Sequence, residues 1–210
     1  MSKSVPPRLP DPVRFAPTDE EKRSARNLLR EGTADVEGPI VLLNPNASDM
    51  LPLRKWPLER FAELGRELLR KYPQVRIVLT GAPAETGPAE KLRAEIGTDR
   101  VTSLAGRTTM RGLLTLYTLA DVLVTNDSGP AHFASLTDID TVVLYGPETP
   151  RLFGPLGDRA RILYAKLACS PCVNVFNHRF SPCRNNRCMQ AISVAEVFEE
   201  VGKCLEKRGY

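Results

Sequence analysis

A chain of 210 residues with 42% hydrophobic and 26% charged residues can bury the core of one large domain. Its 29 basic and 25 acidic side chains are interspersed and leave a mild net charge of +4, which is no argument for nucleic acid as a partner, and none is expected. No apolar run approaches the roughly 20 residues of a membrane helix, and the start, MSKSVPPRLP, has no apolar signal core; both lead to the expectation of a cytoplasmic protein, at most peripheral at the inner membrane.

Residues 1–38 read as a connector with a short helix. Pro6, Pro7, Pro10, Pro12 and Pro17 favour extended chain. Thr18-Asp-Glu-Glu21 is a capping-box pattern, so a polar helix is expected from there to about Arg30, ended by Gly32 and Gly38-Pro39. From residue 39 to 210 the rhythm alternates between strand and helix. Strands are expected at 40–43, 75–80, 101–104, 122–125, 141–145 and 162–165. Between them, Phe61, Leu64, Leu68 and Leu69 share one helical face, and further helices are expected through Ala89 to Ile96, over 113–120 and after Ser128. A closing amphipathic helix spans 193–207. Continuous apolar strands alternating with helices predict an α/β fold, a Rossmann-like parallel sheet with helices on both faces.

In such a sheet ligands bind at the carboxyl ends of the strands, and several strand ends here carry polar or glycine-rich turns. The first is Asn44-Pro-Asn46-Ala47-Ser48, followed by Arg54-Lys55-Trp56-Pro57. Its turn residues offer hydrogen-bond donors, and Arg54 and Lys55 stand just before a helix, where they can reach a phosphate or remain solvated loop cations. After Gly81, Glu85 suits the hydroxyls of a ribose or a place in the first turn of a helix. In Gly106-Arg-Thr108-Thr109 a hydroxyl can line a ligand or cap a helix. The richest turn is Asn126-Asp127-Ser128-Gly129-Pro-Ala-His132. Asp127 can accept sugar hydroxyls, Ser128 and Gly129 can present N–H groups to a diphosphate, and His132 lies one helical turn on. The fifth turn, Gly146-Pro147-Glu148-Thr149, offers Thr149, although a plain turn closing a strand explains it as well.

Together these turns resemble glycosyltransferase family 9, the lipopolysaccharide heptosyltransferase family. The matching pieces are Asn44 to Ser48 with Arg54-Lys-Trp-Pro57-Leu-Glu-Arg-Phe61, Leu104-Ala-Gly106 with Leu113, Asn126 to His132, Leu144-Tyr-Gly146-Pro147 and Cys169-Ser-Pro-Cys172, in the family's order. The resemblance implies the C-terminal, nucleotide-sugar-binding domain of a GT-B fold. It implies an ADP-sugar or other nucleotide-sugar donor, most readily ADP-heptose for lipopolysaccharide core synthesis, and inverting transfer without a metal. Arg54 stands where the family usually has Lys. The N-terminal acceptor domain, which carries the family's proposed base, has no counterpart in the sequence. The expectation is therefore a donor-binding half without a catalytic residue of its own, or a non-catalytic nucleotide-binding module that needs a separate acceptor-domain chain.

The cysteines form C-x2-C-x10-C-x4-C at 169, 172, 183 and 188, with His178 between them. Four thiols at this spacing suit a structural zinc; reduced thiols in a loop are the alternative, and a cytoplasmic setting disfavours disulfides. No metal enters the implied chemistry. Cys204, on the closing helix, is expected to be a packing residue.

Overall fold

A computed structural model describes residues 13–31, 38–49, 51–177 and 180–210. Pro6, Pro7, Pro10, Pro12, Gly32 and His178 lie outside the described residues. The helices are α1 (Asp19–Arg30), α2 (Leu58–Lys71), α3 (Thr86–Ile96), α4 (Met110–Leu119), α5 (Gly129–Ala134), α6 (Pro150–Phe153), α7 (Arg187–Gln190) and α8 (Val194–Lys207). The strands are β1 (Ile40–Asn44), β2 (Arg76–Leu79), β3 (Val101–Ser103), β4 (Val122–Asn126), β5 (Asp140–Tyr145) and β6 (Ala160–Tyr164). They form one parallel sheet in the order β3-β2-β1-β4-β5-β6. This is the Rossmann-like order, which reverses direction between β1 and β4 and opens a crevice there.

The sheet is buried on both faces because successive residues of each strand point to opposite sides. In β1, Val41 and Leu43 join one core, while Ile40 and Leu42 join the other. The first core takes Phe61, Leu64 and Leu68 of α2, Leu92 of α3 and Val197, Val201 and Leu205 of α8. Phe61, Leu64 and Leu68 are 0% exposed, and each such side chain contributes about 1.5–3 kcal/mol by leaving water. The second core takes Leu116 and Tyr117 of α4, Ala134 of α5, and Ala25 and Leu29 of α1.

Helix α1 begins as expected: the Thr18 hydroxyl accepts from Glu21 N at 3.2 Å and the Glu21 carboxylate accepts from Thr18 N at 2.8 Å. It is less polar in its packing than its composition suggests. Ala25 and Leu29, one turn apart, make a narrow buried stripe. Helix α4 starts three residues earlier than expected, because Thr109 caps it through Gly112 N at 3.1 Å. The one-turn helices α6 and α7 carry no readable periodicity and were not expected.

Two asparagines bind the strand ends together. Asn44 of β1 donates through Nδ2 to the Thr80 carbonyl at 3.2 Å, joining the exits of β1 and β2. Asn126, which ends β4, donates through Nδ2 to the Pro45 carbonyl at 2.8 Å and accepts Trp56 N–H on Oδ1 at 3.0 Å. The chain from β1 to α2 is thereby pinned to β4 at both of its ends. We expect Asn126→Ala to strand a buried N–H and a buried carbonyl and to cost about 2–4 kcal/mol. Lys55→Ala, which removes only a pair with exposed Asp49, should cost no more than about 0.5 kcal/mol. Urea denaturation checks both, and equal midpoints for the two variants would refute the role given to Asn126.

Candidate functional site

The turns that leave β1, β2 and β4, with the start of α4, enclose a cleft of about 370 Å³. It is lined by Asn44, Asn46, Ala47 and Ser48 at and after the end of β1, Glu85 after β2, Thr108 and Thr109 before α4, and Ser128 and Gly129 after β4. Pro83, Met110, Leu113, Pro130 and Phe133 add apolar surface to the same lining. The cleft thus brings together Asn46, Ala47, Ser48, Glu85, Thr109, Ser128 and Gly129 from the residues expected on sequence grounds.

Close packing fixes these turns. A Cβ at Gly81 would stand 2.8 Å from Asn46 Nδ2 and 3.0 Å from Glu85 Oε2, so a larger residue there would displace both side chains from their present places. Asn46 donates to the Thr80 carbonyl at 3.3 Å. Glu85 lines the cleft and also accepts Ala82 N–H at 2.6 Å, so its carboxylate is oriented by its own turn. Thr109 caps α4 and lines the cleft at once. Ser128 donates from its hydroxyl to the Asn126 carbonyl at 3.2 Å and makes no side-chain cap for α5.

Arg54 and Asp127 stand beside the cleft, in a buried charged group. The 3-10 turn Pro52–Arg54 delivers Arg54, whose Nη1 lies 4.0 Å from Asp127 Oδ2 and 3.6 Å from Glu148 Oε2. Burial pushes the Asp127 carboxyl up to about 7; Arg54 opposes the shift and the neighbouring Glu148 carboxyl adds to it. The Tyr145 hydroxyl, also raised by burial and by Asp127, donates to the Phe153 carbonyl at 2.6 Å.

Lys55 and His132 are not brought into the cleft. Lys55 turns outward to Asp49 at 2.8 Å, because the adjoining backbone is held inward by Asn186 and by Trp56. His132 is exposed on α5. Thr149 lies on a different and larger cavity of about 1070 Å³ beside β6. That cavity holds none of the other expected residues, so volume alone does not locate the site.

Glu148 was not singled out from the sequence. Its signal is its place: like Asp127, which follows β4, it is an acid just past the carboxyl end of a strand, here β5, the neighbour of β4. An acid in a Gly-Pro turn reads as exposed, yet Glu148 is 3% exposed and lies 3.6 Å from Arg54, which comes from a distant loop.

The segment after β6 supports the same region. Asn186 donates to the carbonyls of Leu53 and Lys55 at 3.2 and 2.7 Å. Trp56 donates from its indole to the Ile192 carbonyl at 3.0 Å. Cys188 departs from the polar-loop reading of the cysteines. It is buried in the first core against Gly146, where a Cβ would stand 2.9 Å from its sulfur, and burial raises its thiol. Cys172 and Cys183 are half-buried and Cys169 is exposed. Among the described residues no group of three or more His, Cys, Asp or Glu side chains is placed to hold a metal ion. Cys204 is buried in the first core, as expected. Among them too, no helix is long and apolar enough to cross a membrane.

The sequence and the fold of this chain have counterparts in known proteins. Lipopolysaccharide heptosyltransferase 2 of Salmonella typhimurium is 28% identical over 158 residues, covering 74% of this chain and 44% of that protein. The structure of the Escherichia coli ADP-heptose lipopolysaccharide heptosyltransferase II superposes with a TM-score of 0.76 at 24% identity, over 96% of this chain and 57% of that one. The E. coli heptosyltransferase WaaC with ADP superposes with a TM-score of 0.61 at 22% identity, over 86% and 48% of the two chains. The chain spans about half the length of the curated relatives it matches. The family model of glycosyltransferase family 9 (heptosyltransferase) matches residues 9–179, and the chain belongs to that family.

Proposed function

We propose that this chain binds the nucleotide-sugar donor of a glycosyl transfer, ADP-heptose for lipopolysaccharide core synthesis, and acts as the donor half of a GT-B enzyme. The observation that carries the proposal is the cleft at the switch of strand order, lined by both polar and apolar side chains, with Arg54 paired to Asp127, the residue before cleft-lining Ser128. The apolar residues Pro83, Met110, Leu113 and Phe133 suit the face of a base. Glu85 suits the ribose hydroxyls, Asp127 the sugar hydroxyls, and Ser128, Gly129 and Arg54 the diphosphate. A related structure holds ADP, namely that of the E. coli heptosyltransferase WaaC.

The contribution of this half to the chemistry is electrostatic. Transfer leaves a nucleoside diphosphate carrying the charge of the broken bond, and a preorganised guanidinium stabilises it as it departs. Deprotonating the acceptor needs a base, which we assign to an acceptor domain outside this sequence or on a partner chain. The lipid-linked acceptor would put the reaction at the cytoplasmic face of the inner membrane. A second reading is a nucleotide-binding module that turns over only together with an acceptor-domain chain. For the cysteines we propose reduced packing thiols rather than a zinc site, on the strength of buried Cys188.

Calorimetric titration of the chain with ADP should give saturable binding, and none at millimolar ADP, UDP or their sugars would sink the proposal. Arg54→Ala should weaken ADP by roughly thirtyfold, the equivalent of about 2 kcal/mol for a lost charge-assisted contact. Lys55→Ala should leave affinity within a factor of about two, as for a solvated cation. Transfer of heptose from ADP-heptose should appear only when an acceptor-domain chain is added; transfer by this chain alone would refute the division of labour.

A further inference from the structure

Arg54 reaches the site from the end of a single 3-10 turn, Pro52–Arg54. The turn's own bonds are few: Arg54 N–H donates to the Leu51 carbonyl at 3.2 Å and Lys55 N–H to the Pro52 carbonyl at 3.0 Å, and the strained geometry of such bonds keeps 3-10 turns short. At the far end of the side chain, Nη1 meets Asp127 and Glu148 at 4.0 and 3.6 Å, beyond the roughly 2.7–3.2 Å of an N–H to oxygen hydrogen bond. The Arg54 Nε–H is buried and has no hydrogen-bond partner among the described residues, so that donor is unspent.

The backbone that carries Arg54 is fixed from elsewhere in the chain. Asn186 Nδ2 donates to the carbonyls of Leu53 and Lys55, the residues on either side of Arg54, at 3.2 and 2.7 Å. Asn186 is the N-cap residue of α7, a position where an asparagine side chain commonly accepts from its own helix. Here it makes no such bond. Its amide crosses to the other segment instead, and Gln190 Nε2 donates to its Oδ1 at 3.1 Å and sets which way it faces. The base it reaches from is firm, because Cys188 and Met189 of α7 are buried in the first core and the Asn186 carbonyl accepts Met189 N–H at 2.8 Å.

We propose that Asn186 is a positioning residue for the donor: by clamping the two carbonyls that flank Arg54, it holds the guanidinium ready for the diphosphate. The inference rests on the reading of Arg54 as the cation that holds the diphosphate. Asn186 acts through Arg54, and no residue after β6 lines the cleft itself. Without the clamp the turn is free to leave its present place, and ADP has to order it again on binding. That ordering is a cost which shows as lost affinity. The segment after β6 thereby tunes donor affinity from outside the cleft.

The test is calorimetric titration of ADP into the full chain, Asn186→Ser, Arg54→Ala and the double variant. Serine is uncharged and can cap α7, but it is too short to hold both carbonyls. We expect Asn186→Ser to weaken ADP by roughly fivefold, the equivalent of about 1 kcal/mol. Once Arg54 is alanine, the same substitution should change the affinity by no more than a factor of about two. A merely structural role would lower the urea midpoint and leave the ADP affinity of the folded chain unchanged, or weaken ADP equally in both backgrounds; either result would overturn the inference. If the serine variant does not fold, Asn186→Asp, which caps α7 and offers no donor when ionised, goes through the same cycle with the same dependence on Arg54 expected. An Arg54→Ala variant that binds ADP as the wild type does would instead overturn the diphosphate reading of Arg54. Absence of ADP binding by the wild type would overturn the donor reading itself, and this inference falls with either.

Discussion

The side chain of Asn126 is the interaction on which the site depends. Strand exits in a parallel sheet leave backbone groups that no neighbouring strand completes, and buried ones must find partners. Asn126 supplies both a donor and an acceptor, to the Pro45 carbonyl and the Trp56 N–H. Those two groups bracket the segment that holds Asn46, Ala47, Ser48 and Arg54. One amide thus sets where the cleft wall and the buried cation stand relative to β4, whose next residues are Asp127 and Ser128. An aspartate at 126 would offer only acceptors when ionised, and a leucine would offer nothing.

The same segment is held from its other side by the chain after β6. Asn186, the indole of Trp56 and Arg60 all bond across this boundary, Arg60 to the carbonyls of Gln190 and Ile192. Gly146 lets Cys188 and Met189 pack directly on the turn that leads to Glu148. The cysteine-bearing segment therefore acts on the site through the packing of Cys188 and Met189 and through backbone bonds.

Much of this was legible in the sequence because the signals are local. Apolar runs of four or five residues such as Ile40-Val-Leu-Leu43 mark buried strands, and the stripe of Phe61, Leu64 and Leu68 marks a helix face. Polar turns after strands converge because a parallel sheet puts every carboxyl end on one rim, so Asn46, Glu85, Thr109 and Ser128 could be grouped before their distances were known. What the sequence hid depends on contacts between distant segments. Glu148 is buried beside Arg54 from a distant loop, Cys188 lies in core although Asn185, Asn186 and Arg187 precede it, and Lys55 pairs with exposed Asp49 although Arg54 beside it is buried against Asp127 and Glu148. The one-turn helices α6 and α7 are too short for a period to appear.

The buried trio shows how a cation is preorganised. A guanidinium left without counter-ions in this region would be costly to bury and free to rotate away. Two carboxylates hold it in place, so in the proposed role of Arg54 as the cation for the diphosphate little ordering would remain to be done. On this view the acid that the sequence concealed, Glu148, matters as much to the site as the arginine it faces.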